Sequence, residues 1–468
     1  MDWIRFLAVV PVLAGSLFAQ GPTVLLIVAD DLRADMIAPY GGAAATPNLD
    51  KLAARGCKFT RATCGYPICH VSRSEIVSGR CLLAESTKGG VIPFDRDWVL
   101  WPEAMRQAGW HTVHSGKWHI EGTPWKRGYD ETAGLFSSGG GKGNELTIPL
   151  SATGRKVTGY TGWTFKTNDN HALPEFGIGL TPDTDARIAD GVIKVIHAAR
   201  GGSDKYQPLF LHVNFTETHD PLHWPPGMKD KYAAEKISLP GNFAPRHPFD
   251  HGNLEGRDEM IVPAPRSELD VKRERAVYQA LAENLDAQIG RILDALEKVN
   301  ELARTIVIFT SDQGLALGSH GLMGKQNQYE HTINVPLIVA GPGIAPGLRL
   351  DQQCYLRDLY PTVCEMTRLK IPSSVQGVSL WPALRGEKVE PHETVFGYFT
   401  DTQRMVRSSD GWKLVWYPRI KRTQLFHVAV DPEERNDLAA DPKFQEVRES
   451  LRETLEAFRA AQHDPALP

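Results

Sequence analysis

Apolar positions along the chain follow two periods. Residues 23–29, 209–214 and 305–310 are nearly unbroken apolar runs rich in β-branched side chains. Runs apolar on both sides predict strands buried on both faces, as in a parallel sheet. Residues 111–114 and 335–339 read as further strands. Helical spacing appears elsewhere: Val277, Leu281, Leu285 and Ile289 step by four, and Ile292, Leu293 and Leu296 extend that face. Ile188, Val192, Val195 and Ile196 make a second stripe in a helix over 181–200, with Thr181 as cap and Pro182 in the first turn. Shorter helices are predicted over 98–108 and after Thr46-Pro47, the latter capped by Thr46 and stopped by Gly56. Past residue 390 the texture changes. Residues 395–399, 403–408 and 413–417 are short strand candidates separated by turns, and a helix over 444–461 closes the chain. Residues 135–180 and 225–266 lack periodicity and read as long loops that shape a cleft.

A chain of 468 residues exceeds one simple core. The reading is an α/β catalytic domain over 20–388, with a mostly parallel sheet between helices, and a smaller subdomain over 389–468 with an antiparallel sheet plus helix. Asp2 and Arg5 precede the apolar run 6–13, followed by small residues to Ala19. That is the layout of a signal peptide over 1–19, predicting a secreted or periplasmic protein. The run is short for a bilayer span, so no transmembrane segment is expected in the mature chain. A net charge of −4 points away from nucleic acid, and the basic cluster 419–422 reads as a solvated loop.

Candidate chemistry sits at strand ends. The first apolar run ends in Asp30-Asp31, and adjacent carboxylates there are either a solvated turn, with Asp31 capping a helix, or ligands of a hard divalent cation. The run 305–310 delivers Asp312 and Gln313, an acid and an amide that would complete an all-oxygen shell. Lys117 and His119 alternate along one extended segment and face one side, making either a surface turn or an anion site with a proton carrier. His219 follows the run 209–214, where an imidazole is a structural residue or a general acid. Cys69, with Arg73 four positions on, is either a small packing residue or a nucleophile at a helix start. The six cysteines, at 57, 64, 69, 81, 354 and 364, contain no Cys-x-x-Cys pair, which argues against zinc. In an oxidising compartment some can pair, in a connectivity the spacing does not give.

Cys69-x-x-Ser72-Arg73 followed by Gly79-Arg80 resembles the signature of the type I sulfatases of the alkaline phosphatase-like superfamily. Gly116-Lys117-Trp118-His119 resembles the second signature of that family. Asp30-Asp31, Thr46-Pro47-Asn48-Leu49-Asp50, His219-x-Pro221, Asp312 and Lys325 follow in the family order, over about residues 22–460. One departure is Val71, where the family usually has Pro or Ala.

The resemblance implies a hydrolase of sulfate esters acting on a sulfated mono-, oligo- or polysaccharide. It implies that a formylglycine-generating maturation enzyme converts Cys69 to formylglycine, whose hydrate attacks sulfur. It implies one Ca²⁺ held by Asp30, Asp31, Asp312, Gln313 and the modified Cys69. His219, with Lys325, would protonate the departing alcohol, His119 would deprotonate the hydrate to expel sulfate, and Arg73 and Lys117 would neutralise charge. Two other readings remain: a phosphodiester or phosphonate monoester hydrolase with the same groups, and a carbohydrate-binding relic in which Cys69 stays a thiol.

Overall fold

The computed structural model describes residues 21–86, 90–140, 146–200 and 206–464. The expected signal peptide over 1–19 lies outside the described residues. Among the described residues no helix is long and apolar enough to cross a membrane.

Nine strands form one large sheet: β1 (Thr23–Ala29), β2 (Cys57–Thr63), β3 (His111–Lys117), β4 (Glu131–Ser138), β5 (Trp163–Lys166), β6 (Leu209–Asn214), β7 (Thr305–Ser311), β8 (Asn334–Ala340) and β9 (Leu348–Tyr355). Their spatial order is β5-β4-β3-β6-β1-β7-β8-β2-β9. β4, β3, β6, β1 and β7 run parallel, β5 and β8 run against their neighbours, and β2 and β9 are parallel to each other. The sheet is therefore mixed and mostly parallel, as the unbroken apolar runs predict.

Alternate residues of β1 enter two different cores. Leu25 and Ile27 pack toward helices Thr184–Arg200 and Glu268–Lys298, while Val24, Leu26 and Val28 pack toward helices Trp101–Gln107 and Leu359–Met366. That two-sided burial is why β1 has no polar face. Register then levels the strand ends. Gly116 lies opposite Asn214, Asn214 opposite Val28, and Val28 opposite Thr310. The residues just past β1, β3, β6 and β7 thus emerge together at one sheet edge, where α/β proteins bind ligands.

Four further strands, β10 (Thr394–Phe399), β11 (Gln403–Ser408), β12 (Trp412–Tyr417) and β13 (Arg422–His427), make an antiparallel meander. The terminal helix Gln445–Ala461 packs Leu451 and Leu455 against its Val406, Leu414 and Leu425.

Several local expectations are corrected. Thr46 precedes its helix, but its hydroxyl accepts from Ala38 N–H, and the first turn is capped by Asp286, which accepts from Asn48 and Leu49 N–H. The helix read over 98–108 starts at Trp101, because Pro102 fits only a first turn. The helix read from Thr181 starts at Thr184, one turn later, and Thr181 Oγ1 donates to Asp183 instead. The stretch read as loop from 135 holds the end of β4 and all of β5.

Candidate active site

Helix Cys69–Ser78 follows β2 and puts Cys69 in its first position, after extended Ile68. Val71 explains itself here. It is buried in a small cluster with Tyr66, Leu82 and Tyr398, and its N–H bonds Ile68 O at 3.1 Å in the first turn, where a proline is also tolerated. Ser72 Oγ donates to Asp312 O (2.7 Å), tying this helix to the end of β7.

Asp30 and Asp31 are fully buried, which removes the solvated-turn alternative. Asp31 adopts φ +65°, a left-handed conformation that aspartate tolerates better than most side chains. Ligand atoms of Asp30, Asp31, Cys69 and His219 lie within 4.8 Å of one another, a buried group able to hold a metal ion. Asp312 stands beside it, with Oδ1 accepting from the N–H groups of Asp31 (3.1 Å) and Gln313 (3.0 Å). Gln313 Nε2 donates to Asp31 Oδ1 (2.6 Å) and Cys69 Sγ (3.1 Å).

Cations surround these acids. Lys117 Nζ donates to both oxygens of Asp30 (2.9 and 2.7 Å) and is 1 % exposed, so it is not a surface-turn residue. Lys325 Nζ donates to Asp31 Oδ2 (2.7 Å) and lies 2.8 Å from His219 Nε2. Among the described residues no hydrogen bond joins Arg73 to the Cys69 sulfur. Arg73 clamps Asp312 Oδ2 (2.9 Å), Asp30 Oδ1 (3.2 Å) and Asn214 Oδ1 (2.7 Å), because a guanidinium fork suits several oxygens at once.

These contacts set the protonation states. Burial raises Asp30, but Lys117, His219, Arg73 and Lys325 outweigh it and hold its carboxyl well below the ordinary range. Burial pushes His119 down, helped by Lys117 and His70, so its imidazole is neutral. For His219, burial and Lys325 act downward and Asp31, Asp30 and Asp220 act upward, and the carboxylates prevail. A 2.8 Å contact between two nitrogens needs a lone pair on one of them, so only one of His219 Nε2 and Lys325 Nζ holds the proton between them.

A pocket of about 260 Å³ opens above this floor, lined by Cys69, Lys117, His119, His219 and Lys325, with Tyr160, Trp163 and Arg257. A larger cavity of about 660 Å³, lined by Arg33, Lys58, Arg349 and Glu433, contains none of the clustered groups. Convergent perturbed acids and bases, and not volume, mark the site.

Residues 22–369 match the sulfatase family model, and residues 318–461 match the model of the N-sulphoglucosamine sulphohydrolase C-terminal region. The chain belongs to the sulfatase family. Relatives span most of its length. An arylsulfatase of Clostridium perfringens is 26% identical over 463 residues, covering 93% of each chain. An N-acetylglucosamine-6-O-sulfatase of Bacteroides thetaiotaomicron is 23% identical, covering 93% of this chain and 86% of its own. The phosphonate monoester hydrolase SpPMH from Silicibacter pomeroyi shares the fold, with TM-score 0.76 and 21% identity over 95% of this chain and 96% of that one. As a sulfatase, the protein is a hydrolase of sulfate esters.

The candidate site also contains residues that sequence reading did not nominate. Tyr160 donates its hydroxyl to Asp30 Oδ2, and its ring edge meets His219 at 4.7 Å between centroids. Tyr160 comes from the aperiodic stretch before β5, where no spacing signals it. Asn214, the Arg73 acceptor, ends β6 in a sequence that fits a glycosylation site; at 4 % exposure its amide serves the interior. Asp220 lies 3.0 Å from His219 Nδ1 and is itself gripped by both terminal nitrogens of Arg257 (3.0 Å each). The sulfatase keeps all six cysteines free and buried, so none of the pairings left open by their number is present.

Proposed function

We propose that the enzyme removes sulfate from a sulfated carbohydrate, using formylglycine made from Cys69 and one Ca²⁺. The convergence of Asp30, Asp31, Cys69 and His219 within 4.8 Å at the floor of a cation-lined pocket carries this reading. The residues fit a cation on one further count. Gln313 Oε1 is buried without a partner among the described residues. Turned over, the amide sets this oxygen among the carboxylates, where only a cation satisfies it. Asp30, Asp31, Asp312 and Gln313 are then an all-oxygen, acid-rich set suited to calcium.

When present, a hydrated aldehyde beside a divalent cation supplies an activated oxygen nucleophile and a route for releasing sulfate afterwards. The chain's own groups do the rest. Lys117 and Lys325 bind the sulfate oxygens, their charge concentrated by burial. Arg73 locks Asp30 and Asp312 in place. The His219–Lys325 pair delivers its proton to the leaving alcohol oxygen, with Asp220 and Arg257 fixing the imidazole. His119, neutral and with Nδ1 unpartnered, accepts a proton at residue 69. The N-terminal run supports export by a signal peptide. A glucosamine-sulfate-named relative and that exported context support carbohydrate as the substrate class.

The test combines peptide mass spectrometry across residue 69 of protein from its native host with sulfate release from a panel of sulfated sugars and an aryl phosphate diester. The expected result is an aldehyde at residue 69 and sulfate release that stops with chelator and returns with Ca²⁺. A thiol alone at residue 69, or turnover confined to the phosphate diester, would overturn the reading.

A further inference from the structure

The proton donors and the sulfate floor account for the inner half of the pocket but not for its wall. Trp163 opens β5, the edge strand of the large sheet, and is half-buried at the pocket. Its ring is held by three aromatic neighbours: Phe136 behind it (5.7 Å between centroids), Tyr160 at 4.9 Å and His119 at 5.3 Å, the last two edge to face. Tyr160 bonds Asp30 and touches His219, so Trp163 is the outer member of an aromatic wall whose inner members reach the reacting groups.

The pocket's arginine offers little ionic recognition. Arg257 is committed to Asp220 and to Asp258, so its charge is compensated within the wall. At about 260 Å³ the pocket is smaller than the roughly 300–1,000 Å³ that drug-sized ligands occupy. It has room for a sulfate group and about one ring.

We propose that Trp163 is the specificity-determining residue of this pocket, its indole being the platform on which the ring of the departing alcohol stacks. The inference rests on the sulfate-ester reading above. Rigid, amphipathic aromatic surface favours a ring over an open chain because the ring loses less freedom on contact.

The test is a pair of measurements. In turnover, Trp163→Ala lowers kcat/KM about tenfold, through KM, for 4-nitrophenyl sulfate and N-acetylglucosamine 6-sulfate, and changes butyl sulfate less than about twofold. Trp163→Phe restores most of the loss. In a Cys69→Ala background, calorimetry reads binding without chemistry: Trp163→Ala weakens 4-nitrophenyl sulfate about tenfold and leaves inorganic sulfate within about twofold. Equal losses for ring and non-ring ligands, or no loss for either, overturn the proposal. Absence of turnover in the wild type would count against the sulfatase reading alone, since the binding arm still reports on stacking.

Discussion

Two of the buried charge clusters in this protein differ in one respect. Where the large sheet meets the C-terminal meander, Lys413 lies between Glu330 Oε1 (2.9 Å) and Glu434 Oε1 (2.7 Å). Arg407 meets Glu330 Oε2 (2.6 Å), Gln353 Oε1 and Thr63 Oγ1 (2.8 Å each), and Glu434 Oε2 accepts from Glu330 N–H (2.7 Å). Every carboxylate oxygen there faces a cation or an N–H group, Glu434 Oε1 through its ion pair with Lys413 and without a hydrogen bond. At the candidate active-site edge the acids are as deeply buried, yet Gln313 Oε1 and His119 Nδ1 have no partner among the described residues. Buried charge alone therefore does not mark function, since ion pairs also serve as joints between layers. What sets the other cluster apart is that ligand atoms of Asp30, Asp31, Cys69 and His219 converge within 4.8 Å beside those unpartnered atoms.

The largest expected effect tests the open cluster. Cys69→Ala should lower kcat/KM by about 10³-fold or more, the usual scale for a lost nucleophile. Its Sγ accepts only from Gln313 Nε2 among the described contacts, so thermal melting should shift by no more than about 1 kcal/mol equivalent. Full activity in that variant would show that the open cluster is not the reaction centre.

The closed cluster should behave in the opposite way. Glu330→Gln leaves Arg407 without its carboxylate and Lys413 with Glu434 alone, and breaking a buried pair costs about 3–5 kcal/mol. Urea unfolding should show that loss, while kcat/KM measured well below the transition stays within about twofold. A variant of normal stability with lost turnover would erase the distinction between the two regions.

How much of this was legible follows from where each signal is local. β1, β6 and β7 announce themselves because both faces are buried, and their ends carry Asp30, Asp31 and Asp312 within one or two positions. Cys69, Arg73, Lys117 and His119 stand in short motifs whose spacing survives without any tertiary knowledge. β9 reads Leu-Arg-Leu-Asp-Gln-Gln-Cys-Tyr, and its mixed polarity suits the exposed edge of the sheet, so it lacked a readable pattern. β13 escaped for a related reason, starting at exposed Arg422 directly after the basic turn. Tyr160, Trp163 and Arg257 reach the pocket from aperiodic segments. Asp286 caps a helix more than two hundred residues away, which no local rule for Thr46 anticipates. Contacts made only by the folded chain, in short, had no sequence period to reveal them.

The smallest expected effect probes a carboxyl that belongs to neither class. Glu274, on the long helix, is 1 % exposed and bonds Thr153 Oγ1 (2.6 Å) and Arg155 Nε (3.2 Å), bracing the segment that leads to Tyr160. Burial pushes it up to about 7 despite those bonds, because Arg155 is itself partly solvated. An acid raised on folding is bound to its proton more tightly in the native state. Its contribution to stability is fully present below the unfolded carboxyl range and is lost as pH rises through about 7. The wild type should thus lose on the order of 1–3 kcal/mol between pH 4.5 and 8 that Glu274→Gln does not lose. Melting both proteins across that interval reads the difference directly: the curves should diverge upward in pH, with the variant the more stable at pH 8. Parallel curves would place Glu274 with Glu330, as a carboxylate fully satisfied by its partners.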